Sequence, residues 1–183
     1  NDTNLLNTGI VTLGDNAADT LTFTGGLATI GNVSNPSATN LAGTIATTNT
    51  NLDLGASTAT AALTLSAGTG TITMASSLAG GANALTFTAD EIDFSGGANS
   101  ITGTSTILLQ PSANNTTIGI GNVAVGTLNL SDADIAALTN GYSLITIGRA
   151  TGTAAIDIRA ITFHDPAIIQ SPDPSGTITV NGI

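Results

Sequence analysis

Three features of this chain predict an all-β fold in which short strands stack in parallel as a solenoid. One strand pattern recurs, since "TLTFTGG" at 20–26 returns as "ALTLSAG" at 62–68 and "ALTFTAD" at 84–90. The recurrence has a period: Leu21, Leu63, Leu85, Ile107 and Leu128 follow one another at 42, 22, 22 and 21 residues, and Ile45 sits near the middle of the first gap. Composition also withholds the material of ordinary helices. Only 8% of the 183 residues are charged and 33 are threonine, against about a quarter charged in typical globular domains.

Each strand is read from an apolar-x-apolar core, in which two inward side chains flank one outward residue. In order these are "VTL" (11–13), "LTF" (21–23), "LDL" (52–54), "LTL" (63–65), "ITM" (72–74), "LTF" (85–87) and "IDF" (92–94). The series continues with "ILL" (107–109), "IGI" (118–120), "LNL" (128–130), "ITI" (145–147), "IDI" (156–158), "ITF" (161–163) and "ITV" (178–180). The predicted core is therefore Leu21, Phe23, Leu63, Leu65, Ile72, Leu85, Phe87, Ile92, Phe94, Ile107, Leu109, Ile118 and Ile120 from the first two thirds. Leu128, Leu130, Ile145, Ile147, Ile156, Ile158 and Ile178 complete it. Ile72 and Ile92 form a second series, offset by 20 residues. Two or three strands per 20–22 residues, joined by Gly, Asn and Ser turns, describe one coil of a parallel solenoid, and the whole chain makes about eight coils.

An antiparallel sandwich also has many short strands, but it wants large core aromatics and hairpin turns. Trp is absent here, and Asn-Gly occurs only at 140–141 and 181–182. Outward Thr22, Thr64, Thr73 and Thr86 favour extended backbone and are expected to line up between coils. The pairs Gly25-Gly26, Gly80-Gly81 and Gly96-Gly97 mark corners. "SDADIAAL" (131–138) reads as a helical insertion, N-capped by Ser131 with Asp132 and Asp134 in its first turn. The polar stretch 31–50 is weakly patterned and is expected to be an irregular loop or coil. "QSPDPSG" (170–176) is a turn, because Pro172 and Pro174 cannot donate to a ladder. The 183 residues are read as one module.

The charge balance bounds the partners. Twelve acids stand against Arg149 and Arg159, with no Lys, for a net charge of −10. Such a chain repels nucleic acid and anionic lipid and has almost nothing with which to neutralise phosphates. No apolar run approaches the ~18 residues of a membrane helix, so membrane insertion by a helix is not expected. Without Cys there are no disulfide staples and no thiolate metal sites.

The run "ITGTSTILLQPSANNTTIGIG", followed by "GTLNLSDADIAALTNGYSLITIGRATGTAAIDI", "ITFHDPAIIQSP" and "GTITVNG", resembles the repeat module of giant filamentous haemagglutinin-like, two-partner-secreted bacterial exoproteins. The resemblance covers residues 84–183, and the first part of the chain matches by composition alone. It implies a right-handed parallel β-helix, secreted or displayed at the bacterial cell surface, that serves adhesion or a biofilm matrix. The family's secretion domain carries Asn-Pro-Asn motifs, whereas this chain offers only "SNPS" at 34–37, so a shaft module is expected rather than a secretion signal. Neither end reads as a cap. The expected partners are accordingly copies of itself or neighbouring solenoid modules, end to end, with cell-surface glycans as the alternative.

Candidate sites are few, and neither a catalytic nor a cofactor-binding set is expected. Asp90, Glu91 and Asp93 in "ADEIDF" are the densest acids and the only candidates for opportunistic calcium, which needs six to eight converging oxygens. Alternation puts Glu91 and Asp93 on one outward face, where a solvated edge explains them equally well. The Gly-Asp nonapeptide of calcium-binding β-rolls is absent. His164-Asp165, with Ser171 or Ser175, carries no nucleophile-elbow pattern. Arg149 and Arg159 are expected to pair with neighbouring acids. Regular Thr also invites an ice-binding reading, against which Gly119, Asn129 and Asp157 are expected to interrupt the outward file.

Overall fold

The computed structural model describes residues 2–181. Parallel strands stack as a β-solenoid of about eight turns, interrupted by a single short helix. The first turn supplies β1 (Thr3–Asn4), β2 (Ile10–Leu13) and β3 (Thr20–Phe23). The next turns run through β4 (Leu27–Ala28), β5 (Ala38–Thr47), β6 (Leu52–Leu54), β7 (Ser57–Met74), β8 (Leu78–Ala79), β9 (Leu85–Asp93), β10 (Ile101–Thr102) and β11 (Thr106–Gln110). There follow β12 (Ile118–Ile120), β13 (Leu128–Leu130), α1 (Asp132–Ala137), β14 (Leu144–Ile147), β15 (Ala155–Ile158), β16 (Ala167–Ile169) and β17 (Thr177–Val180).

Every ladder among the described residues is parallel. The strands form three files down the stack, because β5, β7 and β9 bend at corners and so belong to more than one. The first file is β3, the second half of β5, the middle of β7, the start of β9, then β11, β14 and β16. The second is β1, β4, β6 and the ends of β7 and β9. A separate four-stranded sheet, in the order β13-β12-β15-β17, takes over beyond β9. The third file is β2, the first half of β5, the start of β7, β8, β10 and a bridge from Ile101 to Leu138.

This register lays aliphatic on aliphatic. Leu63, Leu85, Ile107 and Ile145 are successive partners, and so are Leu65, Phe87, Leu109 and Ile147. Leu27, Leu52, Ile72 and Ile92 do the same in the second file. All twelve are buried. Phe87 and Phe94 meet edge to face inside the coil, with ring centroids 5.1 Å apart at 78°.

One coil departs from the period. From Leu63 to Leu85 to Ile107 each turn takes 22 residues, but Ile107 pairs next with Ile145, 38 residues on. The additional length makes β12, a return over residues 121–127, β13 and α1. The return folds back across the outer surface of β12, so Gly119 is buried beneath it. A Cβ on Gly126 would lie 2.0 Å from the Gly119 nitrogen and 2.4 Å from the Ile118 carbonyl carbon. Glycine is needed at this crossing because two backbones touch.

Several sequence expectations are corrected. Residues 31–50 are not an irregular loop throughout, because 38–47 form β5, whose Leu41 and Ile45 are fully buried. Leu128 is buried but does not follow Ile107; it pairs with Ile118 in the smaller sheet. Residues 161–163 form no strand, although Ile161 and Phe163 pack on the core, and β16 at 167–169 takes the expected place in the stack. Ile178 is 45% exposed, because β17 is the outermost strand of its sheet and no further layer covers it. Leu21 and Phe23, in the first layer, are only partly buried for the corresponding reason. Leu130 and the other predicted core positions are buried.

Candidate functional site

Three surface features follow from this stacking. The most distinctive is the junction between the two sheets, at β9 and β13. The second file has an unbroken backbone ladder down to Ile92–Asp93 of β9, and no ladder joins β9 to β13. Asp134 of α1 reaches across instead. Its Oδ1 accepts the Phe94 backbone N–H at 2.9 Å, while Oδ2 accepts the Ser131 N–H at 2.9 Å and the Ser131 hydroxyl at 2.6 Å. Ser131 caps the helix and forms a capping box with Asp134, so one carboxylate both starts α1 and ties it to β9. Asp134 is only 7% exposed.

Asp90, Glu91 and Asp93 do not converge. Asp90 faces the next coil at a corner and accepts the backbone N–H and hydroxyl of Ser112 at 3.1 and 2.6 Å. Glu91 and Asp93 flank buried Ile92 on one outward face, as alternation predicts. Glu91 is half-buried, and its carboxyl is pushed up to about 7, first by loss of solvent and then by the charge of Asp134. Asp93 is raised for the same two reasons. No group of three or more His, Cys, Asp or Glu side chains is placed to hold a metal ion among the described residues.

The second feature is the outward side of the first file. Thr20, Thr44, Thr64, Thr86, Leu108, Thr146 and Ile168 form one column of successive partners. Thr22, Ala46, Ser66, Thr88 and Gln110 form the column beside it, where Gln110 Nε2 donates to Thr88 Oγ1 at 3.0 Å. None of these positions is charged. Thr73 belongs elsewhere, between Asp53 and Asp93 in the second file. Gly119, Asn129 and Asp157 also lie in the smaller sheet, so they do not interrupt the Thr column.

The third feature is the pair of end layers. β17 exposes Val180 at 73% beside Ile178, whereas their partners in β15, Ile158 and Ile156, are 7% and 1% exposed. Leu6 and Ile10 are exposed at the opposite end.

The remaining candidates are absorbed by the scaffold. Asp165 accepts the N–H groups of Gly141 (2.9 and 3.1 Å) and Tyr142 (3.0 Å), holding the turn before β14. Ser171 donates to the Ala154 carbonyl at 2.7 Å, and Ser175 bonds Asp173 at 2.8 Å. His164 is exposed on a cleft of about 340 Å³ shared with Asp132, Ala136, Ala160, Ile161 and Thr162. Arg159 pairs with Asp157 at 3.0 Å as expected. Arg149 does not pair with an acid; it donates to the Pro111 and Ser112 carbonyls and to Asn114, bracing the loop after β11. Sequence reasoning found the Asp134 cap but not its bond to Phe94, because the two residues are 40 apart and only the long coil brings them together. Compared with protein families, curated proteins and solved structures, the chain has no match.

Proposed function

We propose that this chain is a shaft module of an extracellular bacterial fibre or adhesin, extended by further solenoid layers at its ends. The observation that carries the reading is the contrast within one sheet: Ile178 and Val180 lie open while their ladder partners are buried. An edge strand with free N–H and C=O groups and uncovered apolar side chains is a template for another strand. A solenoid accepts such a layer without changing its geometry, since each repeat contacts only its neighbours. Contacts of this head-to-tail kind do not close, so they build filaments. The secreted setting and the adhesive role rest on the likeness of residues 84–183 to filamentous haemagglutinin-like repeats.

Negative-stain imaging and sedimentation across a concentration series test the proposal. Rods that lengthen with concentration are expected, and an Ile178→Lys, Val180→Lys double variant is expected to remain short. A wild-type chain that stays monomeric at every concentration, with the β17 amides fully protected from exchange, overturns it.

A second reading has one observation in its favour. The charge-free side of the first file sets hydroxyls about 4.8 Å apart between layers and about 6.6 Å apart along a strand, a two-dimensional order suited to a regular uncharged surface such as ice. Thermal hysteresis of the purified chain decides it: ice shaping supports the reading, and freezing at the colligative point rejects it.

A further inference from the structure

We infer that the β9–β13 junction is a pH-operated latch, closed by Asp134 while Glu91 is protonated and loosened when Glu91 ionises. The geometry isolates this junction. Above it the second file is a continuous backbone ladder, and below it the smaller sheet is another. Between them the Phe94 N–H is held by a side chain, Asp134 Oδ1 at 2.9 Å, rather than by a neighbouring strand. A carboxylate with a second charge beside it is a weaker clasp than a ladder.

The charges around Glu91 all have one sign. On its own strand it has Asp93, and from α1 it faces buried Asp134. From β7 its ladder partner is Thr71, and Asp93 is opposite Thr73. From β13 the backbone of Asn129 approaches it. Of the two cations, Arg159 is paired with Asp157 and Arg149 braces the loop after β11. Ionised Glu91 therefore meets two carboxylates and no cation in a half-buried site, where low polarity strengthens the repulsion.

The sign follows from linkage. Burial and Asp134 lift the folded-state value of Glu91 from 4.5 to about 7, so closing the junction takes up a proton. The stabilisation is complete below the ordinary glutamate range and is lost as pH rises through about 7, the proton passing to solvent. With about 7 closed and 4.5 open, opening becomes roughly 30-fold more favourable between about pH 5.5 and about pH 8.5.

Residue-resolved amide exchange by NMR on the whole chain, corrected for intrinsic base catalysis, tests the latch. Protection of the Phe94 amide is expected to fall roughly 30-fold over that interval, while Leu65 and Leu109, in the unbroken first file, stay level. Glu91→Gln is expected to keep Phe94 protected at both pH values, and Asp134→Ala to expose it at both. If the wild-type Phe94 amide is equally protected at both pH values, the latch does not exist. A pH response that persists unchanged in Glu91→Gln assigns it to another group and overturns the proposal equally.

Discussion

At Asp134 one side chain answers three donors that the backbone of this region leaves open: the Phe94 N–H, the Ser131 N–H and the Ser131 hydroxyl. Removing it strands a buried N–H and uncaps α1 together. Asp134→Ala is expected to cost about 2–4 kcal/mol, read as a lower urea midpoint at unchanged slope. In the aliphatic columns the penalty is larger per residue. Phe87→Ala, which empties the centre of one coil, is expected to cost about 3–5 kcal/mol in the same measurement. Other carboxylates act in the direction opposite to Glu91. Asp19 is held low by the N–H groups of Asp15 and Asn16, Asp157 by the Val125 N–H and then Arg159, and Asp173 by Ser175. Their stabilisation is present above the ordinary aspartate range and lost as pH falls through their folded values, whereas that of Glu91 is lost as pH rises through about 7. Urea midpoints measured against pH should therefore peak on the acidic side of neutrality, and the high-pH decline should vanish in Glu91→Gln.

Among the elements, the return between β12 and β13 shows how little separates a regular coil from an irregular one. Its residues lie directly on β12, and Gly126 is the contact at which no side chain fits. Gly126→Val is expected to destabilise by about 1–3 kcal/mol through the clash, with exchange protection lost first in β12 and β13 and last in β7. The first and second files were legible in the sequence because each strand presents two large inward residues, as at Leu63/Leu65 and Ile72/Met74. The third file was not. Its strands are short and their inward positions often small, as at Thr39, Ser57 and Ala59, so no alternation of large apolar residues stands out. β5 went unrecognised for that reason, and because Gly43 at its corner, with φ near 71°, interrupts the pattern. The long coil was illegible for a different one. Leu128 keeps both the local motif and the spacing of the first file, and only its three-dimensional pairing shows that it has moved to another sheet.

For the whole molecule, the balance of charge sets the response to solvent. Twelve acids and two arginines form one ion pair among the described residues, so self-repulsion outweighs attraction. Added salt screens that repulsion over about 10 Å at 0.1 M. The thermal midpoint is thus expected to rise with sodium chloride, and a fall on adding salt would show that the Arg159–Asp157 pair outweighs the net charge. Eight layers at about 4.8 Å give a stack on the order of 40 Å long, and its interior is held by dispersion and burial alone. The stack is not uniform along that length. Between the β9 and β15 layers the first file holds one strand, β11, whereas the second holds two, β13 and β12. An additional course of bricks on one side of a column acts as a keystone and turns the column away from that side. A shaft built from such units would carry an elbow wherever the long coil recurs, so its contour would be written by the position of a ten-residue detour.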